Sequence, residues 1–233
     1  MSSKVCVIAG VGPGNGLSFS QRFATKGYRV AMLARSRERL ANYESQIPNS
    51  IGYAVDLTDP RMVQRTFTQI RADLGYVDVL VHNAGSLLAK QFIDTDLEDF
   101  EEQWRRNTYS FILCAREAVA DMREAGTGTI IVIGATASIC GGSNFAAFAS
   151  SKAAQRSLAQ SMARSLGPRN IHVAHVIIDG VIDTPRTRQY LPDESDEFFL
   201  KTADIADAVY ALSQQRRSAW TFEIDLRPFG EAW

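Results

Sequence analysis

The segment Ala9-Gly10-Val11-Gly12-Pro13-Gly14-Asn15-Gly16-Leu17 constrains this chain more than any other, because it joins a short apolar run, Val5 to Ala9, to a helix-period segment. Glycines at 10, 14 and 16 supply the permissive dihedrals that a tight strand-to-helix turn needs. The free amide donors and dipole of a helix N-terminus favour an anion at such a place. A glycine-rich turn alone is ordinary; one lying between a buried strand and a helix lets a phosphate approach the backbone.

The strand-helix alternation continues to the C-terminus. Apolar runs recur at Arg29 to Leu33, Ile51 to Val55, Val77 to Val81, Thr129 to Ile133, His172 to Ile178 and Phe222 to Leu226. Most are β-branched and nearly continuously apolar, as parallel strands covered on both faces must be. The clearest helix between them starts at Asp59-Pro60, carries Val63, Phe67, Ile70 and Leu74 on one face and stops at Gly75. The expected fold is therefore α/β, a single-domain Rossmann-type doubly wound parallel sheet of seven strands flanked by helices, spanning 1–233. A length of 233 residues suits one sizeable core. Pro185 to Lys201 is polar and carries two prolines, which reads as a loop or lid near 185–201.

The charge balance narrows the partners. With 25 Lys and Arg against 26 Asp and Glu, the chain lacks the basic excess that nucleic acid or an anionic membrane requires, leaving small-molecule substrates and protein surfaces as partners. No long apolar stretch and no secretory leader pattern are present, so a cytoplasmic location is expected. Cys6, Cys114 and Cys140 are odd in number and widely spaced, which suggests buried reduced thiols and no metal site. His172 and His175 lie three apart on a predicted strand and face opposite sides, so they do not form a metal pair.

The second strand ends Leu33-Ala34-Arg35-Ser36, about 20 residues beyond the glycine loop, where an acidic side chain would bind the 2'-hydroxyl of NAD. Arg35 offers a planar cation suited to a 2'-phosphate, with Ser36 as a further donor and Arg37 and Arg39 nearby. The expected coenzyme is NADP(H) in preference to NAD(H).

Gly10-x3-Gly14-x-Gly16, Asp56-Leu57, His82-Asn83-Ala84-Gly85, Asn107 and Lys152, in this order and across almost the whole chain, resemble the short-chain dehydrogenase/reductase family. The resemblance implies that Gly10, Gly14, Asn15, Gly16 and Leu17 hold phosphate, and that Asp56 and Leu57 sit at the adenine. It further implies that Asn83, Ala84 and Gly85 line the nucleotide, that Gly180, Ile182 and Thr184 approach the nicotinamide, and that Lys152 holds its ribose. It also implies a homodimer or homotetramer. Two departures are Asp179-Gly180 in place of the usual Pro-Gly, and a C-terminus, Arg227 to Trp233, unlike the family's glycine-rich ending.

The larger departure is chemical. By the same resemblance, catalysis uses an Asn, Ser, Tyr and Lys tetrad, and the register set by Asn107 and Lys152 puts Ala135 and Phe148 at the serine and tyrosine positions. An alternative tyrosine position, seven residues before the lysine, holds Phe145. Ser138 is the first candidate for a replacement donor, with Thr136, Ser143, Tyr190 and a bound water behind it, while His82 reads as a satisfied structural residue. Two functions follow: an NADP(H)-dependent oxidoreductase acting on a carbonyl or alcohol substrate with a non-standard proton donor, or a catalytically inactive NADP-binding sensor or interaction protein.

Overall fold

A computed structural model describes residues 3–230, so Glu231, Ala232 and Trp233 of the atypical ending lie outside the described residues. Seven parallel strands, β1 (Val5–Ala9), β2 (Arg29–Ala34), β3 (Ser50–Ala54), β4 (Val77–His82), β5 (Gly128–Ile133), β6 (Ile171–Ile178) and β9 (Glu223–Leu226), form one sheet in the order β3-β2-β1-β4-β5-β6-β9. The expected runs agree with these bounds to within a residue or so. Val5, Val7 and Ala9 of β1 enter one apolar cluster and Cys6 and Ile8 the other, so both faces of the sheet are covered.

Helices α1 (Asn15–Thr25), α2 (Arg37–Glu44), α3 (Pro60–Asp73), α4 (Leu97–Trp104), α5 (Ser110–Ala125) and α6 (Ala146–Leu166) cross between the strands. The start of α3 shows why its sequence folds as it does. Asp59 accepts hydrogen bonds from the backbone N–H groups of Arg61 and Met62, Pro60 fills the first turn, and Gly75 leaves the helix at φ +101°. Val63, Phe67 and Ile70 are fully buried, each contributing roughly 1.5–3 kcal/mol by its removal from water.

The segment read as a loop is more ordered than its polarity suggests. It contains α7 (Pro185–Tyr190) and β8 (Phe199–Leu200), which pairs with β7 (Val181–Ile182) just before the segment, and Phe199 and Leu200 are buried. Arg188 pairs with Asp183 through two hydrogen bonds of 2.8 and 3.0 Å, and Lys201 reaches the same carboxylate at 2.7 Å. These ion pairs hold the Asp183 carboxyl well below its ordinary range. The final helix, α8 (Thr202–Ser213), then packs on α1.

Cys6 and Cys114 are buried, and burial raises both thiols. Cys140 is exposed, contrary to expectation, because the loop after β5 runs over the surface with Gly141, Gly142, Ser143 and Asn144 beside it.

Candidate active site

The sheet order reverses direction between β1 and β4, and ligands of open parallel sheets bind outside the carboxyl ends of the strands at such a point. A cleft of about 1070 Å³ lies there. Its walls come from the ends of four strands: Gly10 to Gly16 after β1, Ala34 to Ser36 after β2, Val55 to Thr58 after β3 and Asn83 to Ser86 after β4. Ile182, Thr184 and Arg186 close it from the other side.

The glycine loop is built for close approach. Gly10 adopts φ +97°, and a Cβ there would lie 2.5 Å from the Ala84 backbone; a Cβ on Gly16 would lie 2.5 Å from the Gly10 carbonyl oxygen. Asn83 Nδ2 donates to that carbonyl at 2.7 Å, locking the turn to the end of β4. Asn15, at the first position of α1, is buried with its Oδ1 unpartnered. Gly14 faces Thr184 across the cleft, since a Cβ on Gly14 would stand 3.1 Å from the threonine methyl.

At the far end of the cleft, the side chains of Arg35 and Arg39 make no hydrogen bond or ion pair with the described residues, although both line it. Arg37 is instead bound to Glu44 and the Gly52 carbonyl, and the Ser36 hydroxyl accepts from the Arg39 N–H as the cap of α2. Asp56 accepts from the Thr58 backbone N–H at 2.9 Å and from its hydroxyl; the first of these bonds does most to hold the carboxyl below its ordinary range.

The inner end converges on Gly85. A Cβ there would meet Asn107 Oδ1 at 2.5 Å and Lys152 Nζ at 3.7 Å. Asn107 sits in a π-helical turn, Arg105–Tyr109, between α4 and α5. It is fully buried, accepts from the Ser86 N–H, and donates to the Gln103 and Ser86 carbonyls and to Ser151 Oγ. Lys152 is 7% exposed and donates to the Ile133 carbonyl at 2.9 Å and Gln155 Oε1 at 3.0 Å; burial pushes its pKa down to about 8.

Phe148 lies one turn before Lys152 on α6, 7% exposed, with Phe145 edge-on at 6.4 Å between ring centroids. Ala135 follows β5 and donates its N–H to Ser138 Oγ. Neither Ala135 nor Phe148 brings a hydroxyl. Of the replacement donors, Ser138 is buried beneath this turn, Thr136 donates to Asp179, and Tyr190 is 70% exposed on α7 beside Arg186. Asp179 also pairs with Arg227, so its carboxylate is neutralised locally.

Sequence reasoning missed the buried polar residues that tie these groups together. Gln155 Nε2 donates to the Asn107 carbonyl at 2.7 Å, and Gln103 Nε2 donates to Ser86 Oγ. Their signal was available: Gln155 is three residues after Lys152 and Gln103 four before Asn107, spacings that share a helix face. Gly180 contributes φ +151° after β6 but does not line the cleft, and neither do Leu17, Asn107, Ala135, Ser138, Phe148 or Lys152. Asn107 and Lys152 lie behind its inner wall at Gly85 and Ser86.

Three histidines are accounted for by packing. His172 bonds the Thr221 carbonyl at 2.8 Å and stacks on Trp220, whereas His175 Nδ1 lies 3.0 Å from Glu223 with Nε2 unpartnered against Gly134. His82 contacts Ser110 Oγ at 3.2 Å, and burial pushes its pKa down to about 3. A depressed histidine pKa stabilises the fold above the unfolded value near 6.5 and loses that contribution as pH falls toward 3. Unfolding free energy measured in urea at pH 5 is therefore expected to be lower than at pH 7 by about 2 kcal/mol from this group. An undiminished pH difference in His82→Leu would contradict the assignment.

The order of strands and the glycine cradle beside the cleft define a Rossmann-type α/β fold. The short chain dehydrogenase family model matches residues 4–195, and the chain belongs to that family. The chain is 35% identical over 188 residues to the 3-oxoacyl-[acyl-carrier-protein] reductase MabA of Mycobacterium tuberculosis, covering 80% of this chain and 72% of MabA. A short-chain dehydrogenase from Rhodopseudomonas palustris superposes with TM-score 0.84 at 33% identity, over 97% of this chain and 99% of the other. A metagenomic short-chain oxidoreductase in complex with NADP superposes with TM-score 0.85 at 25% identity, over 98% of both.

Proposed function

We propose that this chain is an NADP(H)-dependent oxidoreductase of carbonyl or alcohol substrates that handles its proton without hydroxyls at positions 135 and 148. The observation that carries the reading is the cradle of Gly10, Gly16 and Gly85, where side chains have no room, in one cleft with the unpartnered Asn15 Oδ1. These residues fit a dinucleotide. The loop Gly10 to Gly16 would take the pyrophosphate, Asp56 and Leu57 the adenine, and Asn83 to Gly85 would line the nucleotide, with Ile182 and Thr184 facing the nicotinamide half; Lys152, behind Gly85, would hold the nicotinamide ribose. When bound, such a cofactor supplies or accepts hydride.

The protein's own share is orientation and exclusion of water. Asn107 fixes Ser86 and the inner wall at Gly85, and the Phe145-Phe148 pair presents an apolar face next to Lys152. A broad ketone, aldehyde and enone panel is expected to yield NADPH consumption above that of a Lys152→Ala control. Binding of NADPH with no turnover across that panel would instead support the second reading, a non-catalytic NADP sensor. The observation favouring that alternative is that Thr136 and Ser138 are both engaged within the protein.

Arg35 and Arg39 support a preference for NADP(H), because a 2'-phosphate would meet both without breaking an ion pair among the described residues, Asp56 acting on Arg35 only at longer range. Arg35→Ala is expected to weaken NADPH binding by about tenfold or more while leaving NADH within about twofold, read by calorimetry. An unchanged preference would overturn the coenzyme assignment. A homodimer or homotetramer completes the reading, on the family resemblance alone.

A further inference from the structure

Lys152 has three N–H donors and no acceptor. Two are engaged, one by the Ile133 carbonyl at the end of β5 and one by Gln155 Oε1 on the same helix. Gln155 is itself fully buried, and its amide nitrogen donates to the Asn107 carbonyl while lying 3.5 Å from His82 Nδ1. One side-chain amide therefore fills the space between Lys152, the π-helical turn and β4. The Gly85 side of the ammonium makes neither of these bonds; a Cβ position there lies 3.7 Å from Nζ, and Gly85 lines the cleft.

We propose that Gln155 is a positioning residue that clamps Lys152, making it a fixed hydrogen-bond donor to the ligand of the cleft rather than a link in a proton chain. A carboxamide neither gives up nor takes on a proton at neutral pH, so the bridge from Lys152 to Asn107 carries no proton inward. The titratable groups facing Lys152 do not change this. His82 on β4 and His175 on β6 are both held neutral by burial, and no carboxylate among the described residues accepts from the ammonium. The absence of hydroxyls at Ala135 and Phe148 is the complementary fact: a lysine cut off from an inward proton chain stands beside positions that offer no hydroxyl. The functional side of the inference rests on the nucleotide reading of the cleft; the geometric side does not.

The first measurement uses the free protein. Titration of the lysine ¹³Cε signals by NMR, with Lys152 assigned from a Lys152→Met variant, follows the ammonium directly. Gln155 Oε1 stabilises the charged form, so Gln155→Leu is expected to lower the Lys152 midpoint by about one pH unit or more, and Gln155→Glu to raise it. A midpoint unmoved by both substitutions would overturn the clamp. If Gln155→Leu does not fold, Gln155→Asn, shorter by one carbon, shifts the midpoint in the same downward direction.

The second measurement separates the two parts of the inference. NADPH binding followed by its fluorescence is expected to weaken about tenfold in Gln155→Leu at pH 8, with substantial recovery in Gln155→Glu. A moved NMR midpoint with no NADPH binding even in the unsubstituted protein leaves the clamp standing and removes the nucleotide reading. A moved midpoint with unchanged NADPH affinity overturns the donor role.

Discussion

A protein carrying Ala135→Ser and Phe148→Tyr together is expected to reduce a simple ketone with NADPH at least 10²-fold faster than the unsubstituted chain. A placed general acid typically contributes about 10²- to 10⁴-fold and a hydrogen-bond donor at a developing oxyanion about 10²- to 10³-fold. The two act as a unit, so the single substitutions are expected to fall far short of the pair. The surroundings favour the gain. Position 148 lies one turn from Lys152, whose charge would favour the ionised phenol, and position 135 lies two residues beyond Ile133, whose carbonyl at the end of β5 accepts from that lysine. A folded double variant that binds NADPH yet reduces ketones no faster would show that more than two hydroxyls separates this site from an ordinary reductase.

Gly10→Ala is expected to destabilise the fold by roughly 2–5 kcal/mol, seen as a lower urea midpoint at unchanged slope. Two costs combine: φ +97° strains any residue with a Cβ, and that Cβ would lie 2.5 Å from the Ala84 backbone, which cannot swing aside as a side chain could. Gly12→Ala, in the same loop, has nothing within 4 Å of the new methyl and is expected to stay within about 0.5 kcal/mol. Equal effects at the two positions would show that the loop yields, and the cradle would then lose its meaning as a preformed site.

The fold was legible because parallel strands buried on both faces have a composition that little else shares; β1, β2 and β6 announce themselves by apolar continuity. The cofactor side was legible for a related reason. Glycines at 10 and 16 are dictated by backbone approach, and backbone constraints survive in one-dimensional spacing. What stayed hidden depends on side-chain partners distant in sequence. Nothing in the run around Asp179 reveals that Thr136 and Arg227 hold it, and the polarity of Pro185 to Lys201 conceals that Phe199 and Leu200 reach the core while Asp183 ties the rest down. Gln155 was missed for a different reason: its spacing from Lys152 was visible, but an amide on a helix is ordinarily solvated until burial shows otherwise.

The wide turn at Arg105–Tyr109 has one more implication. Each residue advances an α-helix by about 100°, so the extra residue of a π turn offsets α5 against α4 by that angle while the two stay end to end. Two faces that a regular helix would hold in phase are thus uncoupled: α5 can bury Phe111, Cys114 and Ala118 in the sheet's apolar layer while Asn107 remains turned toward Gly85. The irregular turn acts as a phase shifter, which lets one nearly continuous rod serve the core along its length and the cleft at a single point.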